Sequence, residues 1–345
     1  MKVLVIGGCG FLGSTIVKRL SSEGDEVRAL DIRSPGEGEG VEGVEYVVGD
    51  LRDADSVAAA VEGVEMVYHT ASLTETNGPA RLFQEINVDG TTNVLVAAAN
   101  SGSVKGVVYT SSASVVFSGS DIEGGNEDLA IPENHLDAYS ASKAAAEANV
   151  LAADGVGGVR TVAIRPHTIF GEGDVHVFPR IFANAAAGKM KYVLGSGTVL
   201  HDYTYVQNCV DGHVLAARAI LSDPDVVGGQ AYFITNEEPR NFWDTTYDLV
   251  NRMGYDAAPK FRIPFFAARA IAFMFWLIAT VISPIASFKP LLTPYVVANV
   301  CTSHYFSCQK ARDHFGYSPR VPLDRAFTTT LAWFRQQGYG ADPSQ

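Results

Sequence analysis

The chain has 345 residues, 47% of them hydrophobic, enough for two domains or one large α/β domain with an addition. Its formal net charge of −12 argues against a nucleic-acid partner, which needs clustered Lys and Arg. Cys9, Cys209, Cys301 and Cys308 form no Cys-x-x-Cys pair, so neither a zinc site nor a disulfide framework is expected.

Lys2 to Ile6 is a continuous apolar run of the kind that forms a buried parallel strand. No apolar leader precedes it, so the half of the chain that it opens is expected to face the cytosol. Gly7-Gly8-Cys9-Gly10-Phe11-Leu12-Gly13 follows directly, then an amphipathic run to Leu20. Strand, glycine turn and helix in this order are the context of a dinucleotide site. Gly7 permits the tight turn, Gly10 lets a pyrophosphate approach the backbone at the helix N-terminus, and Gly13 allows close helix–strand packing. The spacing is Gly-x-x-Gly-x-x-Gly, one residue wider in its first gap than the commoner fingerprint.

A second strand from Glu26 to Leu30 ends at Asp31, whose carboxylate can accept from the ribose hydroxyls of NAD and repel the 2′-phosphate of NADP. Arg33, two residues on, leaves the NADP option open. Strands are expected over 44–48, 66–69, 106–109 and 160–164, with helices over 54–61 and from Asn87 to Ala99. Asp50, after the third strand, is placed either to meet the adenine or to cap the next helix. Thr70-Ala71-Ser72 at the end of the fourth strand is small enough for a cofactor to pass over. Thr110 to Ser114 supplies hydroxyls at the end of the fifth strand, where ligands sit in open α/β sheets. The regular alternation predicts an α/β fold: a Rossmann-type doubly wound parallel sheet.

Tyr139 and Lys143 are four residues apart, so a helix places them on one face. A tyrosine titrates near 10, and an ammonium group a few ångströms away favours its phenolate. The pair is a device for taking a proton from an alcohol. Beyond residue 175, helices are expected over 178–188, 210–221 and 242–253, an extended segment over 202–206, and a strand over 231–234. Residues 1–175, rejoined by 200–234, are read as the dinucleotide-binding domain; 176–199 and 235–345 are read as a smaller, mixed C-terminal substrate domain.

The glycine loop, the run Tyr109 to Phe117, Tyr139-x-x-x-Lys143 and Arg165-Pro166-His167-Thr168-Ile169-Phe170-Gly171 occur in the order found in the extended short-chain dehydrogenase/reductases. With Gly188-Lys189-Met190-Lys191, Phe233 to Pro239, His304 to Cys308 and Phe315-Gly316-Tyr317, the chain most resembles the 3β-hydroxysteroid dehydrogenase branch, and within it the decarboxylating sterol-4α-carboxylate 3-dehydrogenases. The resemblance implies an NAD-dependent oxidation of a sterol 3β-hydroxyl with loss of carbon dioxide. A plain 3β-hydroxysteroid dehydrogenase, with or without isomerisation, or a reductase of another hydrophobic ketone is the alternative. It implies Tyr139 as proton acceptor, Lys143 on the nicotinamide ribose, and Ser112 (with Ser111 the neighbouring candidate) on the substrate oxygen. It also implies cofactor contacts from Gly7, Gly10, Phe11, Leu12, Gly13, Asp31, Arg33, Asp50, Leu51, Thr70, Ala71, Pro166 and Ile169, with Asn87 in support. Where nucleotide-sugar relatives carry an arginine, this chain has His201, which disfavours a UDP-sugar substrate. His167, Arg180, Lys189 and Lys191 are unranked candidates for holding the carboxylate.

From Ala257 to Arg312 there is no Asp or Glu, while Lys260, Arg262, Arg269, Lys289, Lys310 and Arg312 flank a run containing Phe273, Trp276, Leu277 and Ile278. Pro284 cuts that run short of the roughly 20 apolar residues a spanning helix needs. Residues 265–288 are therefore read as an element lying in a membrane interface, with a buried helix of the substrate domain and a true span as the competing options. The expected setting is peripheral or monotopic, on the cytoplasmic face of a membrane, the endoplasmic reticulum if eukaryotic. A homodimer is compatible with this reading.

Overall fold

The computed structural model describes residues 1–74, 78–282 and 292–341. Seven parallel strands form the central sheet: β1 (Lys2–Ile6), β2 (Glu26–Asp31), β3 (Glu45–Val48), β4 (Met66–His69), β5 (Gly106–Thr110), β6 (Arg160–Pro166) and β7 (Gln230–Ile234). Their order is β7-β6-β5-β4-β1-β2-β3. The chain runs outward from β1 through β2 to β3, then starts again at β4 on the other side. That reversal opens a crevice at the carboxyl ends of β1 and β4, where open α/β sheets bind ligands.

The alternation along β1 shows how the layers form. Val3 and Val5 join one core with Ile16, Val17 and Leu20 of α1 (Phe11–Ser22); Leu4 and Ile6 join another with Val57 and Val61 of α2 (Ala54–Val61) and Val94 of α3 (Gly90–Asn100). On the first face lies α6 (Val206–Ser222) beside α1; on the second, α4 (Ala138–Ala152) packs Ala146 and Val150 against Tyr109 and Ala163. Burial of both faces explains why the central strands β1, β4 and β5 read as near-continuous apolar runs.

The smaller C-terminal part surrounds α5 (Phe178–Ala186), α7 (Phe242–Arg252) and α10 (Leu323–Gln336); the aromatic side chains Phe178, Phe182, Phe327 and Phe334 interlock with Phe170. A small second sheet joins Arg240–Asn241, Leu200–His201, His304–Phe306 and Ile122–Gly125, and sets His201 opposite His304.

Several elements differ from the sequence reading. Asn87 does not open a helix. It lies inside a π-helical turn, Gln84–Asp89, because its amide is tied to both backbone groups of Leu73, and α3 begins only at Gly90. Helix α6 starts at Val206, since Asn208 in its first turn is buried and bonded to Asn236 and the Val321 carbonyl. The strand Ile122–Gly125 reads Ile-Glu-Gly-Gly, with no apolar alternation to betray it.

Helix α8 (Phe265–Ile282) occupies the apolar stretch. Ala268 and Ala272 pack under it against Leu194, Val297 and Cys301. Its other face exposes Phe266 by 77%, Phe273 by 57%, Trp276 by 48% and Leu277 by 49%, so a wholly buried helix is excluded. Among the described residues no helix is long and apolar enough to cross a membrane. The rest of the predicted stretch, 283–288, lies outside the described residues.

Candidate active site

The glycine turn is built around an approach that no larger residue tolerates. Gly7 holds φ at +85°, and a Cβ on Gly13 would lie 2.0 Å from the Gly7 carbonyl oxygen. Helix α1 thus rests directly on the turn. Its N-cap is Gly10, without a side-chain cap, and its first turn carries no acid, so its N-terminal dipole is open to an anion. Phe11 and Leu12 form the start of that turn. Thr70 closes the cradle from β4: its hydroxyl donates to the Ile6 carbonyl at 2.9 Å, and Ala71 N–H donates to the same oxygen at 2.9 Å.

Asp31 ends β2 with its carboxylate accepting from the Cys9 N–H at 2.9 Å. Arg33 is committed elsewhere, donating to the Cys9 carbonyl at 2.6 Å and to Glu39 at 3.2 Å. Asp50 pairs with Arg52 at 2.5 Å, whose hydrogen bond holds its carboxyl below the usual range. It does not cap α2; Asp53 does, accepting from the Asp55 N–H at 3.1 Å. Leu51 is buried beneath Gly90, and Pro166 and Ile169 follow at the end of β6 and in the short strand Ile169–Phe170. The glycines, Thr70, Ala71 and Asp31 therefore converge on one crevice, and their chemistry fits a dinucleotide.

Helix α4 carries the acid–base candidates. Asp137 caps it by accepting from the Ser140 N–H at 2.9 Å. The Ser112 hydroxyl meets that of Tyr139, and accepts from the Ser114 N–H at 3.1 Å. Ser111 is turned into the protein and buried. Burial pushes Tyr139 up to about 12, Ser112 opposes this, and Asp137 adds to it. The lowering expected from Lys143 is not what this arrangement produces. The Lys143 ammonium donates to the Thr110 carbonyl at 2.5 Å and lies 4.5 Å over the Tyr109 ring; burial pushes it down to about 7 and Glu147 opposes the fall. Glu147 is itself clamped by Arg165 at 2.9 and 2.5 Å, both buried. Asn87 donates to Ser142 at 2.9 Å, and Ser142 to the Tyr139 carbonyl at 2.8 Å, which ties α4 to the loop after β4.

Beside Ser112 lies a cavity of about 70 Å³ walled by Phe117, His167, Thr168, Tyr295, Asn299 and His304. It is smaller than the roughly 300–1,000 Å³ of ordinary ligand pockets. Tyr295, from α9 (Pro294–Cys301), stands edge-on to Phe117 at 6.1 Å and closes it. Of the four carboxylate candidates only His167 reaches this wall; Arg180, Lys189 and Lys191 are exposed and lie outside it. The sequence reading missed Tyr295, Asn299, the Glu147–Arg165 clamp and any role for His304. Glu147 four residues after Lys143 was the one readable signal among them.

Comparisons with known proteins agree with this geometry. Residues 4–265 match the model of the 3-beta hydroxysteroid dehydrogenase/isomerase family. The chain is 40% identical to the mouse (Mus musculus) "Sterol-4-alpha-carboxylate 3-dehydrogenase, decarboxylating", covering 96% of this chain and 91% of that protein. It is 37% identical to the "3 beta-hydroxysteroid dehydrogenase/Delta 5-->4-isomerase" of Mycobacterium tuberculosis, covering 96% and 90%. In fold it is similar to a UDP-glucose 4-epimerase from Thermotoga maritima, with a TM-score of 0.76 at 18% identity over 98% and 99% of the two chains. With a family model matched over most of its length and relatives at these identities, the chain belongs to the 3-beta hydroxysteroid dehydrogenase/isomerase family.

Proposed function

We propose that the protein oxidises the 3β-hydroxyl of a sterol 4α-carboxylate, with NAD as oxidant and loss of carbon dioxide. The observation that carries this reading is the meeting of Ser112 and Tyr139, with Lys143 one turn on, beside the glycine cradle at the carboxyl edge of the sheet. The mouse relative's name supplies the substrate class.

Gly7, Gly10 and Gly13 would hold the NAD pyrophosphate against the α1 N-terminus, Asp31 the adenosine ribose, and Lys143 the nicotinamide ribose. NAD, when bound, supplies the hydride acceptor for C3. Ser112 orients the substrate hydroxyl, and Tyr139 takes its proton as phenolate. The Tyr139 phenolate would be favoured by the positive charge of the oxidised cofactor that these residues would hold. Oxidation at C3 turns the substrate into a β-keto acid, which releases carbon dioxide through its enol and needs no second catalytic group.

The cavity beside Ser112 is too small for a sterol nucleus, so the Tyr295 ring must turn aside to admit one. The exposed apolar face of α8, next to α9 in sequence and packed on it, lies in the membrane interface from which the sterol enters, on the cytoplasmic side. A second copy would dock on the apolar groove of α3 and α4, where Leu95, Val96 and Val156 line a shallow surface.

Matched sterols with and without the 4α-carboxylate, followed by NADH absorbance, test the reading. Faster turnover of the carboxylated sterol supports it. Turnover of the uncarboxylated sterol alone favours the plain 3β-hydroxysteroid dehydrogenase, the activity named for the Mycobacterium tuberculosis relative.

A further inference from the structure

Two imidazoles in the cavity wall are short of one proton. His304 Nε2 lies 2.8 Å from the Asn299 carbonyl, His304 Nδ1 lies 2.7 Å from His167 Nε2, and His167 Nδ1 lies 2.7 Å from the Asp202 carbonyl. This is a chain of three close contacts that ends in a carbonyl oxygen on each side. A carbonyl only accepts, so three hydrogen bonds need three ring protons, and two neutral imidazoles carry two. The Thr168 hydroxyl, 3.0 Å from His167 Nδ1, can donate there, but that leaves the Asp202 carbonyl facing a lone pair. Thr168 is also held at φ +41°, a conformation that β-branched residues rarely adopt and that marks a constrained site.

Burial opposes the third proton, pushing His167 down to about 3 and His304 to about 4. An anion next to the pair works in the opposite direction. The cavity wall contains no Arg or Lys among the described residues, so the pair is its one source of positive charge. Four other titratable groups face the pair. His201 stacks on His304 at 3.9 Å between ring centroids and is itself held neutral by burial. Asp202, pushed up to about 7 by burial, turns its carboxylate to the Phe306 N–H at 2.7 Å. Asp121 acts on His304 from the edge of the second sheet, and Tyr295 shares the cavity wall. The cavity, about 70 Å³, holds a carboxylate but no sterol ring.

On the basis of the decarboxylating reading above, we propose that the His167–His304 pair is the counter-charge for the substrate's carboxylate, taking up one proton from solvent as that group enters the cavity beside Ser112. The Thr168 hydroxyl in the same wall is its neutral donor. The pair acts on affinity, leaving proton abstraction to Tyr139.

The test compares kcat/KM on a 4α-carboxy-3β-hydroxysterol and on the same sterol without the carboxylate, from about pH 6 to about pH 9, where the carboxylate stays ionised. In the unmodified protein the ratio of the two should fall about tenfold per pH unit from about pH 6 upward, and level off only above the pH at which the bound pair loses its proton. His304→Gln keeps a donor and an acceptor but cannot become a cation; its ratio should be at least tenfold lower near pH 6 and flat with pH. His167→Asn should behave alike, so a folding failure of one variant leaves the other. His201→Gln removes a stacked ring outside the proton chain and should keep the pH slope. Equal losses on both sterols with an unchanged slope in both pair variants would overturn the assignment. An unmodified protein that oxidises only the uncarboxylated sterol would instead overturn the decarboxylating reading on which it rests.

Discussion

Glu147→Gln is the most informative perturbation of the catalytic helix. Glu147 is 0% exposed and Arg165 4%, and the two are joined by paired contacts. Breaking a buried pair from one side leaves an uncompensated charge and costs about 3–5 kcal/mol. At about 2.1 cal/mol/K of unfolding entropy per residue, a chain of 345 residues loses about 4–7 °C in Tm. A second effect is separable from the first. Glu147 is the influence that raises Lys143 against burial, which already holds the ammonium down to about 7. Without it, Lys143 loses its proton at lower pH, and the limb of kcat/KM that depends on the ammonium should move to lower pH. Thermal melts and a pH–rate profile read the two effects. Glu147→Leu with Arg165→Met should recover most of the stability, because an apolar pair of similar volume replaces the ions, yet leave the profile shifted. A Glu147→Gln protein with unchanged Tm, or a shifted profile restored by the double replacement, would refute this reasoning.

Other expectations follow from the same contacts. Asp31→Ala should narrow the preference for NAD over NADP, measured as the ratio of Kd values; an unmodified protein that prefers NADP refutes the ribose role. Replacing Phe273, Trp276 and Leu277 by Ser should release the protein from anionic liposomes into the supernatant, and high salt should do so only in part, because the apolar contribution is not screened. Burial pushes His69 down to about 3 and His213 to about 4, below the 6.5 of the unfolded chain. The unfolded state therefore binds more protons as pH falls below about 6.5, and each ring should cost up to about 1.4 kcal/mol per pH unit until its folded value is reached. Denaturant midpoints flat between about pH 7 and pH 4 would contradict that burial.

The middle of the central sheet was legible because β1, β4 and β5 are buried on both faces and end at turn residues. Lys2–Ile6, Ala54–Val61 and Met66–His69 needed no tertiary information. The glycine turn was legible because the shape of Gly7 to Gly13 is set by local backbone geometry. What escaped was long-range. His167 meets His304 across 137 positions, and neither neighbourhood signals the other. Lys143 shares a helix with Tyr139 as its spacing implied; the direction of its ammonium was not readable, because it depends on Thr110 and Tyr109 of β5. Helix α8 was readable as apolar; that Ala268 and Ala272 pack inward while Phe273 and Leu277 face out depends on α9.

In the proposed reaction Tyr139 drives oxidation of a carboxylated sterol, and carbon dioxide leaves as a consequence. Simultaneous measurement of NADH formed and carbon dioxide released from a 4α-carboxy-3β-hydroxysterol tests that coupling. One carbon dioxide per NADH is expected from the unmodified protein, and both should fall by at least about 10²-fold in Tyr139→Phe, with NAD affinity retained. Carbon dioxide release that persists in Tyr139→Phe, or NADH formed without it, would show that the two steps are not coupled through Tyr139.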